Sequence, residues 1–313
     1  VDEGEFSPER WYRLIEEHRV TVWYTAPTAV RMLMRAGADL ARSFDLSSLR
    51  LVASVGEPLH ADAVEWGREA FGLPIHDTWW QTETGGIMVA NRPGLEVRPG
   101  SMGVPVPGVE TALLARDRDG EPLLDDAGAP VLVDDPDEPG ELLLRAGWPS
   151  MFRGYLSQED RYRRAFVGGW YRTGDLVRRD RDGYHWFVGR GDDMIKSSGH
   201  FIGPFEVEAT LLAHPAVSEA GVVGIPDPNA GELVLGFVVL APGVEDDDAV
   251  RRDVLGHCRK RLGPAVAPRR LEVVADIPRT RRGKIMRRLL RARYLGLPEG
   301  DTSTVVESRG GPS

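Results

Sequence analysis

A lone lysine near the end of the chain has the residue type and the setting for phosphate chemistry. Lys284 lies in the run Pro278-Arg279-Thr280-Arg281-Arg282-Gly283-Lys284-Ile285-Met286-Arg287-Arg288, in a chain with three lysines and 36 arginines. An ammonium is a compact charge that can follow a moving phosphate or carboxylate oxygen, whereas a guanidinium is a planar fork. Lys284 is therefore a candidate cationic catalyst, and a solvated basic helix is the alternative.

The charge of the chain is acidic overall and basic in one place. The net charge is −9 and the isoelectric point is about 5.4, so no global basic field attracts nucleic acid or an anionic membrane. Residues 279–293, in contrast, contain eight lysines or arginines and no acid. This local concentration predicts an anionic ligand, for which a phosphate is one candidate.

Cysteine content and hydropathy bear on the compartment. Cys258 is the single cysteine, which excludes an internal disulfide framework and fits a reducing environment. No apolar run approaches the roughly 20 residues of a membrane-spanning helix. No signal peptide precedes the first predicted helix. The expectation is a soluble, cytoplasmic protein with no membrane partner.

The first half of the chain alternates predicted helices and strands, which must position any catalytic group. Three helices are predicted: the first from Pro8 to about residue 18, the second over 27–35 and the third over 61–71. Ser7 is expected to cap the first helix. Strands are predicted over 20–25, as a buried strand, over 49–55 and over 74–78. This alternation predicts a largely parallel sheet covered by helices. Glycine, proline and aspartate between 99 and 140 predict a small β subdomain, which includes strands over 140–144 and 184–188.

A second unit is predicted after Gly189-Arg190-Gly191-Asp192-Asp193. Helices are expected over 204–214, 249–262 and 283–294, and strands over 217–225, 233–241 and 271–274. These elements form a compact α+β domain of about 100 residues. The predicted fold class is thus α/β over 1–190 followed by α+β over 191–297, with a flexible tail over 298–313.

Six segments occur in the order in which one enzyme family carries them. They are Tyr24-Thr25-Ala26-Pro27-Thr28-Ala29-Val30, Ser54-Val55-Gly56-Glu57-Pro58-Leu59, Asp77-Thr78-Trp79-Trp80-Gln81-Thr82-Glu83-Thr84-Gly85-Gly86, Tyr171-Arg172-Thr173-Gly174-Asp175, Gly189-Arg190-Gly191-Asp192-Asp193 and the Lys284 run. Together they cover nearly the whole chain. The set resembles the adenylate-forming, AMP-binding enzymes, and among them most closely the acetyl-CoA synthetase branch.

The resemblance implies a reaction in two steps. A carboxylate attacks the α-phosphate of ATP, which gives an acyl-adenylate and pyrophosphate; the thiol of CoA then attacks the acyl carbon and releases AMP. The enzyme contributes positioning and cations around developing negative charge. The implied substrates and cofactors are acetate or a short-chain carboxylate, ATP, CoA and Mg²⁺.

The resemblance also implies a nucleotide site in the first domain. Gly56, Glu57 and Pro58 would form a wall against adenine, where glycine lets the backbone approach a flat ring. On its own, this tripeptide is equally a common turn. Glu83 would hold Mg²⁺ on the phosphates, since this cation prefers oxygen ligands. The residues that would line the nucleotide are Asp77, Thr78, Trp79, Trp80, Gln81 and Thr82.

Three further positions match family residues around the ribose and the hinge. Asp175 matches a carboxylate that accepts both ribose hydroxyl groups, although an aspartate after glycine is also common in turns. Arg190 matches an arginine near the ribose and α-phosphate. Asp192 matches the hinge between the large domain and a lid. Lys284 would contact the carboxylate and α-phosphate during adenylation and move away for thioester formation.

The acyl group is expected to be small. By resemblance, Trp80 closes the acyl pocket with its indole and Val55 forms the other wall, whereas family members that take longer acids have a small residue at the first position. Ordinary core packing is the alternative for Trp79-Trp80. The pocket is expected to admit acetate with some leakage to propionate, because one methylene is worth only about 1 to 3 kcal/mol.

The lid carries weaker matches and one departure. Ser198 and Arg259 match positions that contact CoA, and a solvated arginine is the alternative for the latter. Phe201 stands where the family usually carries an arginine, and an uncharged ring cannot supply that cation. A peripheral metal site, made partly of backbone oxygens in some relatives, matches Leu212, His214 and Val217; a helix end at His214-Pro215 is the alternative reading.

A second departure concerns the phosphate loop. The family's Ser/Thr/Gly-rich loop belongs well upstream of Tyr24, and only 23 residues precede that tyrosine. The chain is therefore interpreted as the C-terminal part of such an enzyme, with an N-terminal portion of the same protein as a partner, and is not expected to complete adenylation alone. A propionyl or other short-chain CoA ligase and an inactive nucleotide- or partner-binding fragment are the alternatives. By resemblance to family members that are switched off in this way, acetylation of Lys284 is expected to stop adenylation, since it removes the ammonium charge.

Overall fold

The chain folds into two compact units in a computed structural model. The structure describes residues 6–117, 120–136, 138–280, 284–300 and 302, and the backbone of 305–306. The first unit comprises residues 1–115, 122–173 and 177–187, and the second comprises 116–121, 174–176 and 188–313. No helix in the described ranges is long and apolar enough to cross a membrane.

A short parallel sheet organises the beginning of the first unit. Strand β1 (Val22–Thr25) pairs in parallel with β2 (Leu51–Ser54), which pairs in parallel with β3 (Ile75–Trp79). Two short antiparallel strands, β4 (Val89–Ala90) and β5 (Val104–Pro105), extend the sheet beyond β3. The predicted parallel sheet is confirmed, and the carboxyl ends of three neighbouring strands meet at one edge.

Helices cover this sheet where the sequence predicts them. They are α1 (Pro8–His18), α2 (Pro27–Ala36), the short α3 (Ala38–Arg42), which was not predicted, and α4 (Ala61–Phe71). Ser7 caps α1, since its hydroxyl oxygen accepts from the backbone N–H of Arg10 at 3.3 Å. Their apolar faces pack in one core that includes Tyr12, Leu33 and Ile75.

The expectation that the first strand is buried is wrong. Val22 and Tyr24 are 50% and 44% exposed, whereas Trp23 between them packs against the core. Strand β1 lies at the edge of its sheet, and successive side chains of a strand point to opposite faces. The apolar run therefore covers one buried and one exposed face.

A second, antiparallel sheet completes the first half of the chain. It contains β6 (Thr111–Leu114), β7 (Gly140–Arg145), β8 (Phe166–Val167), β9 (Trp170–Arg179) and β10 (His185–Arg190), in the order β10-β9-β7-β6 with β8 paired to β9. A short helix, α5 (Glu159–Arg164), precedes β8. Strands at 140 and 184 were predicted, but the ten-residue β9 was not, because Gly174 and several charged residues interrupt its apolar pattern.

The second unit is the predicted α+β domain. Its sheet contains β11 (Ile195–Ser197), β12 (His200–Ile202), β13 (Val217–Asp227), β14 (Gly231–Leu240) and β15 (Arg270–Val273). The hairpin of β11 and β12 was not predicted, because its strands have only three residues each. Helices α6 (Pro204–Leu212), α7 (Asp248–Leu262) and α8 (Arg287–Leu295) accompany the sheet. The two predicted fold classes are confirmed along the chain.

The predicted start of the last helix is wrong. Helix α8 begins at Arg287 rather than at Gly283, and Lys284 lies on an extended segment before it. Strand β16 (Arg279–Thr280) turns back so that Arg279 bridges Ile285. It also pairs with β17 (Val305–Val306). Gly283 and the adjacent 281–282 lie outside the described residues, as does most of the predicted flexible tail.

Candidate active site

Polar side chains line the edge where the three parallel strands end. Tyr24, at the end of β1, shares a hydrogen bond of 2.8 Å between its hydroxyl and Oγ1 of Thr78. Its hydroxyl oxygen also accepts from the indole Nε1 of Trp80 at 3.1 Å. In open parallel sheets ligands bind beyond the carboxyl ends of the strands. The edge thus has the location and the fixed side chains of a ligand site.

The two adjacent tryptophans serve different purposes. Trp79 is buried and packs in a core with Met88 and Tyr171, and its carbonyl accepts from the backbone N–H of Met88 at 3.1 Å. Trp80 is 39% exposed, while its Nε1 is fixed on Tyr24. This difference follows from the alternation of side chains along a strand. Trp80 is thus available to shape a pocket, and Trp79 matches the alternative of core packing.

Asp77 joins the end of β3 to the loop that follows β2. Its carboxylate accepts from the Ser54 hydroxyl at 2.7 Å and from the backbone N–H of Leu59 at 3.2 Å, and it is 3% exposed. Burial raises the pKa of Asp77 from its ordinary value of 3.8 to about 7, although the Ser54 and Leu59 hydrogen bonds oppose this rise. The carboxylate thus supports the loop 55–59 from within.

That loop contains Gly56, Glu57 and Pro58 in a fixed conformation. Gly56 has φ +101°, a backbone conformation that favours glycine, and a Cβ there would meet nothing within 4 Å. Glu57 accepts from Arg31 of α2 at 2.9 Å and from the Thr28 hydroxyl at 3.1 Å. The loop is therefore anchored on two sides, and Gly56 faces open space. Val55 is half-buried at the start of the same loop.

The turn after β3 holds the predicted metal ligand. Oε1 of Gln81 accepts from the Tyr171 hydroxyl at 2.8 Å, and Nε2 of Gln81 donates to the carbonyl of Thr173 at 2.9 Å. Thr82 is exposed at the turn. Glu83 is half-buried, and its Oε1 accepts from the Tyr155 hydroxyl at 2.9 Å. A single oriented carboxylate suits Mg²⁺ that arrives on a nucleotide, because this cation takes one or two carboxylates plus phosphates and water.

The structure brings Asp175, Arg190 and Asp192 together within the second unit. The buried carboxylate of Asp175 accepts from Nη1 of Arg190 at 2.9 Å. Nε of the same guanidinium donates to the carboxylate of Asp192 at 3.2 Å. Gly191 donates its backbone N–H to the carbonyl of Gly174 at 2.8 Å, so the two motifs also share a main-chain bond. Two residues predicted to contact ribose and phosphate are thus held as an ion pair, beside the predicted hinge residue.

Lys284 lies on the return segment of the hairpin that begins at Arg279. The backbone N–H of Thr280 donates to the carbonyl of Lys284 at 2.9 Å, and the N–H of Lys284 donates to the Thr280 hydroxyl at 3.2 Å. Ile285 packs next to the lid core that includes Ile277 and Leu290. Among the described residues, the exposed Lys284 ammonium has no hydrogen bond or ion pair. It is therefore held by its backbone and available to an anion.

Four of the described arginines around Lys284 are paired with acids. Arg279 pairs with Glu219 at 3.0 Å, and Arg291 pairs with Glu232 at 3.2 Å. Arg293 pairs with Glu299, and Arg287 with Glu208. Sequence spacing could not reveal these partners, because most are distant along the chain. The exposed Lys284 ammonium, in contrast, has no acid partner among the described residues.

The predicted CoA residues lie on separate elements. Ser198 is exposed at the turn between β11 and β12 and has φ +50°, a strained conformation for a residue other than glycine. Arg259 is exposed on α7. Phe201 is 39% exposed and pairs across the hairpin with Lys196, whose ammonium lies 5.7 Å from the centre of its ring. A cation is thus present beside the position where the family usually has arginine.

The residues that match the peripheral metal site make hydrogen bonds within the protein. Nδ1 of His214 accepts from the backbone N–H of Ala216 at 3.2 Å, its Nε2 lies 3.3 Å from the Asp253 carboxylate, and its carbonyl accepts from Val217 at 3.0 Å. Leu212 ends α6 just before. Across the described ranges, no group of three or more His, Cys, Asp or Glu side chains could hold a metal. These bonds match the alternative of a helix end.

Sequence reasoning missed the side chains that support the site. Ser54, Arg31 and Tyr155 fix Asp77, Glu57 and Glu83 respectively. Ser54 had a signal, since it lies at the end of a predicted strand beside the glycine motif. The other two are far along the chain from their partners, and no local pattern marks them.

Comparison with known sequences gives the family of the chain. The family described as AMP-binding enzyme matches residues 1–156, and the family described as AMP-binding enzyme C-terminal domain matches residues 206–284. Acetyl-coenzyme A synthetase of Bacillus subtilis is 46% identical over 97% of the chain and 51% of its own length. The enzyme of the same name from Deinococcus radiodurans is 44% identical over 95% of the chain and 45% of its own length.

A solved structure gives a consistent match. The anthranilate CoA ligase AuaEII, in complex with anthranoyl-AMP, has a TM-score of 0.76 and 36% identity; the match covers 92% of the chain and 53% of that structure. The chain spans about half the length of the curated relatives it matches.

Proposed function

The chain belongs to the AMP-binding enzyme family, and from this premise we propose that it is part of an acetate:CoA ligase. In the first step an acetate oxygen bonds to the α-phosphorus of ATP and the bond to pyrophosphate breaks. In the second, the sulfur of CoA bonds to the acyl carbon, and AMP leaves with the electron pair of the cleaved bond while the thiol proton is released. The chain is proposed to supply the adenine, ribose and acyl contacts and the lid lysine.

The nucleotide site is proposed at the carboxyl ends of β2 and β3. Gly56 gives adenine an open approach to the backbone, and the loop is held in place by Asp77 beneath it and by Arg31 on Glu57. A loop anchored before the ligand arrives loses less entropy on binding than a mobile one. Glu83, oriented by Tyr155, would hold Mg²⁺ that arrives with ATP. That ion would neutralise charge on the phosphates.

The ribose contact is proposed for Asp175 and Arg190. A carboxylate accepts hydrogen bonds and cannot donate while ionised, which suits a pair of hydroxyl donors. The guanidinium at 2.9 Å holds the buried Asp175 carboxylate in place. Arg190 is proposed to lie near the α-phosphate, toward which its guanidinium would bring positive charge.

Lys284 is proposed to place its ammonium on the acetate oxygen and the α-phosphate during adenylation. Charge in that transition state is spread over the phosphate oxygens, so a cation aimed at them lowers the barrier. Support comes from its position, since it is exposed on a braced hairpin while the neighbouring arginines pair with acids. For thioester formation, Ser198 and Arg259 are proposed to face CoA.

The fixed indole of Trp80 is the observation that carries the choice of acetate. Its hydrogen bond to the Tyr24 hydroxyl at 3.1 Å, and the bond from Tyr24 to Thr78, prevent the ring from swinging aside for a longer acid. Val55 follows Ser54, which lies opposite Asp77 in the strand register, so it stands near the same edge as Trp80. These two side chains are proposed as walls of a pocket for the methyl group of acetate. Each additional methylene then has to displace an anchored ring.

The test separates the two half-reactions. The chain is supplied with CoA and with acetyl-adenylate, propionyl-adenylate or butyryl-adenylate, and thioester formation is measured by mass spectrometry. We expect a clear preference for acetyl-adenylate, of at least about tenfold over butyryl-adenylate, since two methylenes are worth more than about 2 kcal/mol. No thioester from any adenylate, or equal use of all three, would contradict the proposal. Thioester from supplied adenylate without synthesis from acetate and ATP would indicate that the adenylation half depends on residues outside this chain.

A further inference from the structure

Three charged residues that have no role in the reaction as proposed above contact one another inside the second unit. Arg287 donates from Nη2 and Nε to the two carboxylate oxygens of Glu208, at 2.6 and 3.0 Å. Its third nitrogen, Nη1, donates to the carboxylate of Asp193 at 3.2 Å. Glu208 is 4% exposed and also accepts from the backbone N–H of Val222 at 2.9 Å. The guanidinium therefore uses its fork to join a buried acid to a second acid elsewhere in the chain.

The location of Arg287 on its own helix conflicts with local electrostatics. Arg287 is the first residue of α8, and the first turn of that helix contains no acid. A cation is unfavourable at a helix N-terminus, where the backbone presents partial positive charge. Such departures from local preference are expected at functional positions. The carboxylates of Glu208 and Asp193 compensate for this placement.

The three residues link the two parts of the lid that the proposed function requires. Asp193 follows the proposed hinge residue, and its backbone N–H donates to the carbonyl of Arg190 at 3.1 Å. On the other side, the residue before Arg287 closes the lysine hairpin, since the N–H of Met286 donates to the carbonyl of Pro278 at 2.8 Å. The guanidinium thus lies between the hinge turn and the hairpin that carries Lys284.

We infer that Arg287 is a positioning residue that fixes the Lys284 hairpin relative to the hinge turn through its bonds to Glu208 and Asp193. This inference rests on the proposed function, in which Lys284 is the cation of the adenylation step. Torsional change at the hinge then moves the hairpin as a body with Asp193, rather than leaving the lysine on an independent loop. Lysine at position 287 cannot reproduce the arrangement, since a single ammonium lacks the fork.

The experiment compares three variants of the chain by amide hydrogen exchange. Asp193→Asn removes the negative charge of the acceptor that Arg287 binds at the hinge turn, at a half-buried site, and is expected to fold. Arg287→Lys removes the fork. Arg291→Lys is the control, because Arg291 lies on the same helix and pairs with Glu232 at 3.2 Å rather than with Glu208 or Asp193. The reporters are the hairpin amides of Thr280 and Met286, and the α7 amides report global stability.

We expect both test variants to accelerate exchange at the hairpin amides by at least about tenfold, the factor for loss of one charge-assisted hydrogen bond. The α7 amides and the Arg291→Lys chain should be unchanged. Unchanged hairpin exchange in Asp193→Asn would overturn the inference. Equal acceleration of hairpin and α7 amides would also overturn it, because it would show a general structural role.

A second readout addresses the reaction. This readout uses a protein of the relatives' full length that contains this chain. Arg287→Lys should lower kcat of acetate-dependent ATP–pyrophosphate exchange and leave KM for acetate near its original value. The rate of thioester formation from supplied acetyl-adenylate should also stay near its original value. A parallel loss of both half-reactions would contradict a positioning role. If Lys284→Ala leaves the exchange reaction intact, the proposed role of the lysine fails, and hydrogen exchange still decides whether Arg287 holds the hairpin.

Discussion

Replacing Asp77 with asparagine is expected to change how the stability of the protein depends on pH. The carboxyl is buried and ionises with a pKa of about 7, against 3.8 in the unfolded chain. Each pKa unit corresponds to about 1.4 kcal/mol, so the ionised carboxylate costs the folded state about 4 kcal/mol above neutral pH. At about pH 5 the cost is between about 1 and 2 kcal/mol, because the folded protein still keeps its proton.

The sign follows from which state holds the proton. Because the pKa is higher in the folded state, the stabilising contribution of Asp77 is fully present below about pH 4, where both states are protonated. It is lost as the pH rises to about 7, since only the unfolded state has released its proton over most of this range. Asparagine cannot ionise. Raising the pH from about 5 to about 8 should therefore favour Asp77→Asn over the original chain by about 3 kcal/mol.

Urea unfolding at the two pH values measures this difference. The comparison between variant and original chain cancels the other titrating groups, including His185, whose pKa burial lowers to about 4. Asp126→Asn, at an exposed loop position, serves as the control and should show no such dependence on pH. A difference between Asp77→Asn and the original chain that stays constant, or that favours the variant more at low pH, would refute the assignment of Asp77 as a buried acid that supports the nucleotide loop.

Three other substitutions test the site. Gly56→Ala should cost about 1 to 3 kcal/mol in urea unfolding, because alanine is strained at φ +101°, and should also weaken AMP binding measured by calorimetry. Gly94→Ala is the control, because Gly94 also has a positive φ (+89°) and nothing within 4 Å of the position that a Cβ would take, and it should lose comparable stability while AMP binding is kept. If both variants lose AMP binding, Gly56 has no local role in the nucleotide site. Trp80→Gly should shift thioester formation toward butyryl-adenylate, and an unchanged preference would exclude the indole as the wall of the acyl pocket. Asp175→Asn should lower AMP affinity about tenfold or more, since a charge-assisted acceptor is lost, and unchanged affinity would argue against the ribose contact.

The local elements follow from the sequence where capping and periodicity agree. Ser7-Pro8 predicts the start of α1, and the apolar spacing of 61–71 predicts α4 with the bounds that the structure shows. Strand β9 was missed because Gly174 interrupts it. The start of α8 was misplaced because a run of basic residues has helical propensity, whereas the chain first pairs Arg279 with Ile285.

Side-chain partners explain most of what sequence could not predict about the site. The motifs identify Glu57, Asp77 and Lys284, but not that the first two are held by Arg31 and Leu59. Such contacts join residues that are far apart along the chain or come from the backbone, so no local spacing records them. The same reason explains why sequence could not reveal the acid partners of Arg279, Arg287 and Arg291.

The most direct test of the proposed mechanism is a comparison of the two half-reactions in Lys284→Ala. Adenylation is measured by acetate-dependent ATP–pyrophosphate exchange in a protein of the relatives' full length. Thioester formation is measured by conversion of supplied acetyl-adenylate and CoA to acetyl-CoA. Lys260→Ala is the control. We predict that Lys284→Ala abolishes exchange and retains thioester formation, while the control retains both. Exchange that survives in Lys284→Ala would contradict the account.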